Sequence, residues 1–255
     1  MNRSTPARSN ARLAIYAVIA LAVLGAGAGF WILFVRGTPP PPVGAASASP
    51  GASQAAISTR PTTAPGSTTA PGSGATWTID TSIGSFSDFS DSFVGYRVNE
   101  TLAGNKANTA VGRTPAVSGS LVLDGQTIAS VDITADLSQL ESDDPRRDGR
   151  LHEQAIETDQ FPQATFKLTQ PIDLGAAPAD GGTFDVNATG ELTLHGVTKT
   201  ITLPLHGVLA GDVVTVTGSI DILFADYNIQ QPTSFLVLSI EDHGVMELQL
   251  HFRRG

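Results

Sequence analysis

The stretch GELTLHGVTKTITLPLHGVL, Gly190 to Leu209, decides the fold class. Leu192 and Leu194 alternate with Glu191, Thr193 and His195. After a short polar corner, Ile201, Leu203 and Leu205 alternate with Thr200, Thr202 and Pro204. A period of two puts each set of leucines on one face of a half-buried strand, and the corner folds the two strands back on each other.

The same period recurs outward from this hairpin. Val117, Gly119, Leu121 and Leu123 share a face, followed by Asp124-Gly125, a hairpin turn signal. Ala129, Val131, Ile133, Ala135 and Leu137 form the next alternating set. Further along come Phe184 to Leu194, Val214 to Ile222 and Met246 to Phe252. One stretch, Pro145 to Thr158, has helical spacing. Many strands and one short helix predict an antiparallel all-β fold, and about 180 residues suit a long-stranded up-and-down barrel.

The inferred inward face mixes Leu, Val and Ile with Gly119, Ala135, Ala188, Gly190, Gly207 and Gly218. Small residues on an inner wall leave volume for a ligand, since an eight-stranded barrel either packs solid or holds one small molecule. Strand glycines also mark bulges and bends. On periodicity alone the two readings stand level.

The first third of the 255-residue chain is different. Residues 1–75 contain no Asp or Glu and five basic residues, Arg3, Arg8, Arg12, Arg36 and Arg60. The rest carries 10 Lys+Arg against 24 Asp+Glu, a net charge of −14. A surface of that sign repels phosphates and argues against nucleic-acid binding. The absence of cysteine rules out disulfides, thiolate metal sites and a Cys nucleophile.

Leu13 to Val35 is a 23-residue run without a charge. As a helix it covers about 34 Å, enough for a bilayer core of about 30 Å. Three arginines precede it and Arg36 alone follows closely, so residues 1–12 are expected in the cytoplasm and the remainder outside. A cleaved signal peptide is the rival reading, because Ala26-Gly27-Ala28 has the small-x-small pattern; the apolar run continues past that site through Phe30-Trp31-Ile32-Leu33-Phe34-Val35, so the secreted product would begin with a hydrophobic tail. Residues 36–75, rich in Pro, Ala, Ser, Thr and Gly, are expected to be a disordered tether, leaving 76–255 as the folded domain.

Phe161-Pro162-Gln163-Ala164-Thr165-Phe166 followed by Gly190-Glu191-Leu192-Thr193-Leu194-His195-Gly196-Val197-Thr198-Lys199 resembles the YceI-like family. Trp77-Thr78-Ile79-Asp80 resembles its opening strand, and Arg147-Asp148-Gly149-Arg150-Leu151 its helix start. The resemblance spans Ala75 to Arg254. It implies an extended lipocalin-like barrel whose apolar interior, in some members, holds a polyisoprenoid or related lipid. It brings no catalytic residues and no cofactor. The chain departs from the family in having no histidine around its first two strands, which bears on any ligand head group.

Five histidines are present. His195 and His206 lie on paired strands out of phase with the leucines, too far apart to share a metal, and His195 is expected to bond locally at its turn. Glu141, Asp143, Asp144 and Asp148 lack the spacing of a calcium loop and read as a solvated helix start with a capping Asp. No Gly-x-Ser-x-Gly elbow, HExxH or P-loop occurs.

The resulting expectation is a single-pass, membrane-anchored, extracytoplasmic barrel, not an enzyme, that holds or carries a lipid or isoprenoid-like ligand. Phe93, Val94, Tyr96, Phe166, Leu192, Leu194 and Phe224 are the expected wall or mouth residues. Arg97, Arg147 and Arg150 are the expected contacts for a phosphate head group, since guanidinium binds phosphate bidentately. The alternatives are a packed, ligand-free interaction module working through its acidic exterior, and, more weakly, a secreted hydrolase.

Overall fold

A computed structural model describes residues 39–43, 74–232 and 234–255, all within the unit Pro39–Gly255. The expected cytoplasmic segment, the 13–35 span and most of the tether lie outside the described residues. Among the described residues no helix is long and apolar enough to cross a membrane.

The strands are β1 (Ala75–Ile79), β2 (Phe93–Leu102), β3 (Lys106–Thr114), β4 (Val117–Asp124), β5 (Thr127–Asp136) and β6 (Glu141–Ser142). Then come helix α1 (Pro145–Arg150), β7 (Gln163–Leu168), β8 (Ile172–Asp173), β9 (Thr183–Leu194), β10 (Val197–Ala210), β11 (Val213–Leu223), β12 (Val237–Ile240) and β13 (His243–Arg254). Eight of them, β1-β4-β5-β7-β9-β10-β11-β13, follow one another by antiparallel pairing, and β1 pairs with β13 to close the ring. The expected all-β antiparallel barrel with one short helix is therefore the observed architecture.

The opening hairpin is its longest uninterrupted ladder, with Leu203 opposite Ala188 and Ile201 opposite Gly190. Strand β13 has two neighbours on one side. Its end pairs with β1 (Trp77 with Arg254), while Val245 to Gln249 pair with β2 (Arg97 to Phe93). Strands β2 and β3 thus prolong the wall beyond the ring as a hairpin flap, with β12 on one edge and β6 on the other.

Two local differences from the periodic reading have clear causes. A register shift between Val122 and Leu123 places Leu123 opposite Ile128. Ile128 is therefore the buried residue and Ala129 is exposed, because a bulge inverts the facing of every residue on one side of it. The helical stretch is α1, capped at Asp144, whose carboxylate accepts from Arg146 N, continued by a single wide turn at Leu151–Ala155.

Inward residues form two packed layers. Trp77, Val117, Leu121, Ile128, Leu168, Ala188, Val214, Val216, Leu250 and Phe252 fill one end. Leu192, Ile222 and Tyr227 fill the other, with Phe166 reaching both. Several of the inward glycines are occupied by neighbours: a Cβ at Gly207 would strike the Phe184 ring, one at Gly190 the Phe166 ring, and one at Gly218 Leu205. The small residues make room for aromatic rings on adjacent strands as well as for open space.

Candidate functional site

Strand alternation and cross-strand register place Val94, Tyr96, Phe166, Leu192 and Leu194 on the inner wall. Phe93 lies on the other face of β2, opposite Gln249, 1% exposed and 4.2 Å beneath the Arg113 guanidinium carbon. Phe224 opens the 3-10 turn Phe224–Tyr227 at the barrel's end, beside Gly244.

Between the two packed layers the wall is not fully covered. Ile133, Val186, Ile201, Leu205, Ile220, Met246 and Leu248 all face inward, yet each is only half-buried. In a closed ring the surface they retain faces the lumen. Along the same interior three polar atoms are buried without a hydrogen-bond partner: Trp77 Nε1, Tyr96 Oη and Tyr227 Oη. Each such orphan costs about 1–3 kcal/mol until something bonds to it.

Tyr96 lies over Gly112, whose missing side chain makes space for its ring. Burial pushes its phenol pKa well above the ordinary 10.0, so the hydroxyl keeps its proton. Nearby, Arg147 Nη2 donates to Glu100 Oε1 at 3.2 Å and Nη1 to Ser142 Oγ at 3.2 Å, with Asp143 also paired to Nη1. Asn108 donates to the same Glu100 oxygen. The expected head-group arginines therefore separate. Arg147 sits close to Tyr96 within this network, Arg150 is half-buried at the end of α1, and Arg97 belongs to the outer face, bonded to Glu247.

At the end of the barrel beside the His195-Gly196 corner lies an open cleft of about 660 Å³. His195 forms its back wall. Its Nδ1 donates to Tyr227 O at 2.9 Å, and its Nε2 meets Glu157 Oε2 at 3.0 Å. The Phe161 ring stands edge-on to the imidazole at 4.5 Å. The bond expected to be local to the turn instead spans 32 and 38 residues of sequence. Glu157, His195 and Asn228, which all line the cleft, hold left-handed backbone with φ of 49°, 50° and 55°. Gln154, Gln160, Gln230 and Gln231 complete its rim. None of these carboxamide positions was singled out from sequence: Gln154 lies in the helical stretch Pro145 to Thr158, and Gln160, Gln230 and Gln231 come from segments with no periodic pattern. His206 is separate, exposed and paired with Asp185. Among the described residues no cluster of His, Asp or Glu could hold a metal ion.

The model of the YceI-like domain matches residues 77–252 of this chain. A UPF0312 protein of Vibrio parahaemolyticus is 38% identical over 104 residues, which cover 40% of this chain and 51% of that protein. One from Vibrio vulnificus is 37% identical over 103 residues, covering 39% and 51%. The chain thus spans about half the length of the curated relatives it matches. Among solved structures, a polyisoprenoid binding domain from Saccharophagus degradans, implicated in plant cell wall breakdown, superposes with a TM-score of 0.55 at 20% identity. It covers 71% of this chain and 99% of that one, a likeness of fold.

Proposed function

Because this chain belongs to the YceI-like family, we propose that its barrel holds a lipid or isoprenoid-like molecule with the apolar chain in the lumen. The observation that carries this reading is the half-buried state of inward side chains such as Val186, Leu205 and Leu248 inside a closed sheet. Apolar surface left uncovered there is stabilised by an apolar guest, at about 0.8 kcal/mol for each CH₂ buried. Val94, Phe166, Leu192 and Leu194 supply wall. Tyr96 Oη, buried and without a partner, supplies a hydrogen bond to the guest's polar end, with Arg147 close behind it.

The uncharged run Leu13 to Val35 supports a further element of the proposal: the barrel is anchored by one helix and works outside the cytoplasm, holding its guest near the membrane it came from. The likeness to a polyisoprenoid binding domain agrees in chemistry with a long unsaturated chain.

The test is native mass spectrometry of the full chain purified in mild detergent, with organic extraction of the same sample. A co-purifying lipid mass that disappears on extraction is expected. A chain that carries no adduct, and takes up none from added polyisoprenoid, would overturn the proposal.

A further inference from the structure

The outer face of the flap carries a second site, and its occupant is visible. Glu247 is 1% exposed and accepts from two arginines: Arg97 Nε at 2.7 Å on one oxygen, and Arg113 Nε at 2.9 Å with Nη2 at 2.7 Å on the other. Glu247 is the one carboxylate in ion-pair range of either guanidinium among the described residues. Two cations share one anion, and the surplus charge is nearly dry. The Arg113 guanidinium carbon is also sandwiched between the Phe89 and Phe93 rings, at 4.6 and 4.2 Å.

Both guanidiniums also reach the proline run that opens the tether. Arg97 Nη2 donates to Pro40 O, and Arg113 Nη2 donates to Pro41 O at 3.1 Å. A proline run suits this position for two reasons. It has no backbone N–H, so every polar atom it presents is an acceptor for the surplus cation. Its extended conformation is also set before binding, which lowers the entropic cost of docking.

We propose that Arg97 and Arg113, oriented by Glu247, form a receptor for a proline-rich segment, with the chain's own Pro39–Val43 as its ligand. The segment acts as a strap. Pro40 and Pro41 meet the outer face of β2 and β3 through these two guanidiniums. While the strap is seated it covers the surplus charge of Arg97 and Arg113.

The natural absence of cysteine makes the test clean. A nitroxide is attached to the full chain at Val43→Cys, and separately at Ser67→Cys as a reference, and mobility is read by electron paramagnetic resonance. The label at 43 is expected to be motionally restricted relative to that at 67. The double variant Arg97→Lys, Arg113→Lys keeps charge on Glu247 but removes the second edge of each fork; it should free the label at 43 while the thermal midpoint shows the barrel still folded. Equal mobility at 43 and 67 in the parent chain would overturn the proposal. So would a label that stays restricted in the lysine variant. Restriction that vanishes on dilution would assign the strap to a second copy and overturn the intramolecular reading.

Discussion

His195 Nε2 sits 3.0 Å from Glu157 Oε2, and both residues hold left-handed backbone. Such backbone costs of order 1–3 kcal/mol at a non-glycine position, so the imidazole bridge between Glu157 and the Tyr227 carbonyl offsets strain at two corners. Glu157→Ala keeps the strain and loses the bond, and should lower stability by about 1–3 kcal/mol. Glu157→Gly relieves the backbone and should recover part of that loss. Urea midpoints decide it: identical losses in the two variants would remove strain from the account.

Filling the lumen should abolish its guest without unfolding the sheet. Val186 faces inward opposite Leu205 and is half-buried, whereas the adjacent Asn187 is exposed. Val186→Trp is expected to cut the co-purified lipid by about tenfold or more, about 1.4 kcal/mol of binding. Asn187→Trp should leave it unchanged. Loss in both variants, or in neither, would count against the lumen as the site.

Acid should act on the seam where β1 meets β13. The Ser82 hydroxyl, then the Arg253 guanidinium, hold the Asp80 carboxyl down at about 2 from the ordinary 3.8. A carboxyl depressed in the folded state contributes stability that is whole above its unfolded value and is lost as pH falls through its folded one. The urea midpoint should therefore drop between about pH 4 and about pH 2, and Asp80→Asn should flatten that drop. Asp91 has the opposite sign. Burial raises its pKa, and one of its oxygens has no partner. Asp91→Asn should raise the midpoint at neutral pH, with the gain shrinking as pH falls toward the ordinary 3.8 and gone below it.

Gly190 tests the close packing of the inner wall. A Cβ there would strike the Lys167 carbonyl oxygen as well as the Phe166 ring. The ring can turn aside, but the β7 backbone cannot without breaking its ladder. Gly190→Ala is expected to cost about 1–3 kcal/mol as overpacking. A change near zero in a denaturation series would mean that β7 yields more readily than its pairing implies.

The strands were legible because their inner face repeats every second residue over long runs such as Phe184 to Leu194; length and the resemblance to a family led from strands to a barrel. The bulge at Val122 was not legible, since no residue type there demands it, and so Ala129 was placed inward where Ile128 belongs. Alternation placed Leu192 and Leu194 on one face, but no alternating set was read around Val94 or Phe166. Phe93 and Arg97 lie on the outward phase of the same strand as Val94 and Tyr96, and hydrophobicity could not separate them because the outer face is itself covered. The cleft was invisible because Gln154, Glu157 and Asn228 meet only through the folded chain. The seated prolines ran against composition, which favours disorder wherever no partner is known.

Closure of the ring rests on a short join. Strand β13 meets β1 through three residue pairs, Trp77 with Arg254, Thr78 with Arg253 and Ile79 with Phe252, while β9 and β10 are matched along twelve. A zipper opens at its shortest run of teeth. Amide exchange should be fastest at Thr78 and Arg253 among the ring's paired strands, so the first breath of the closed sheet is expected along this seam.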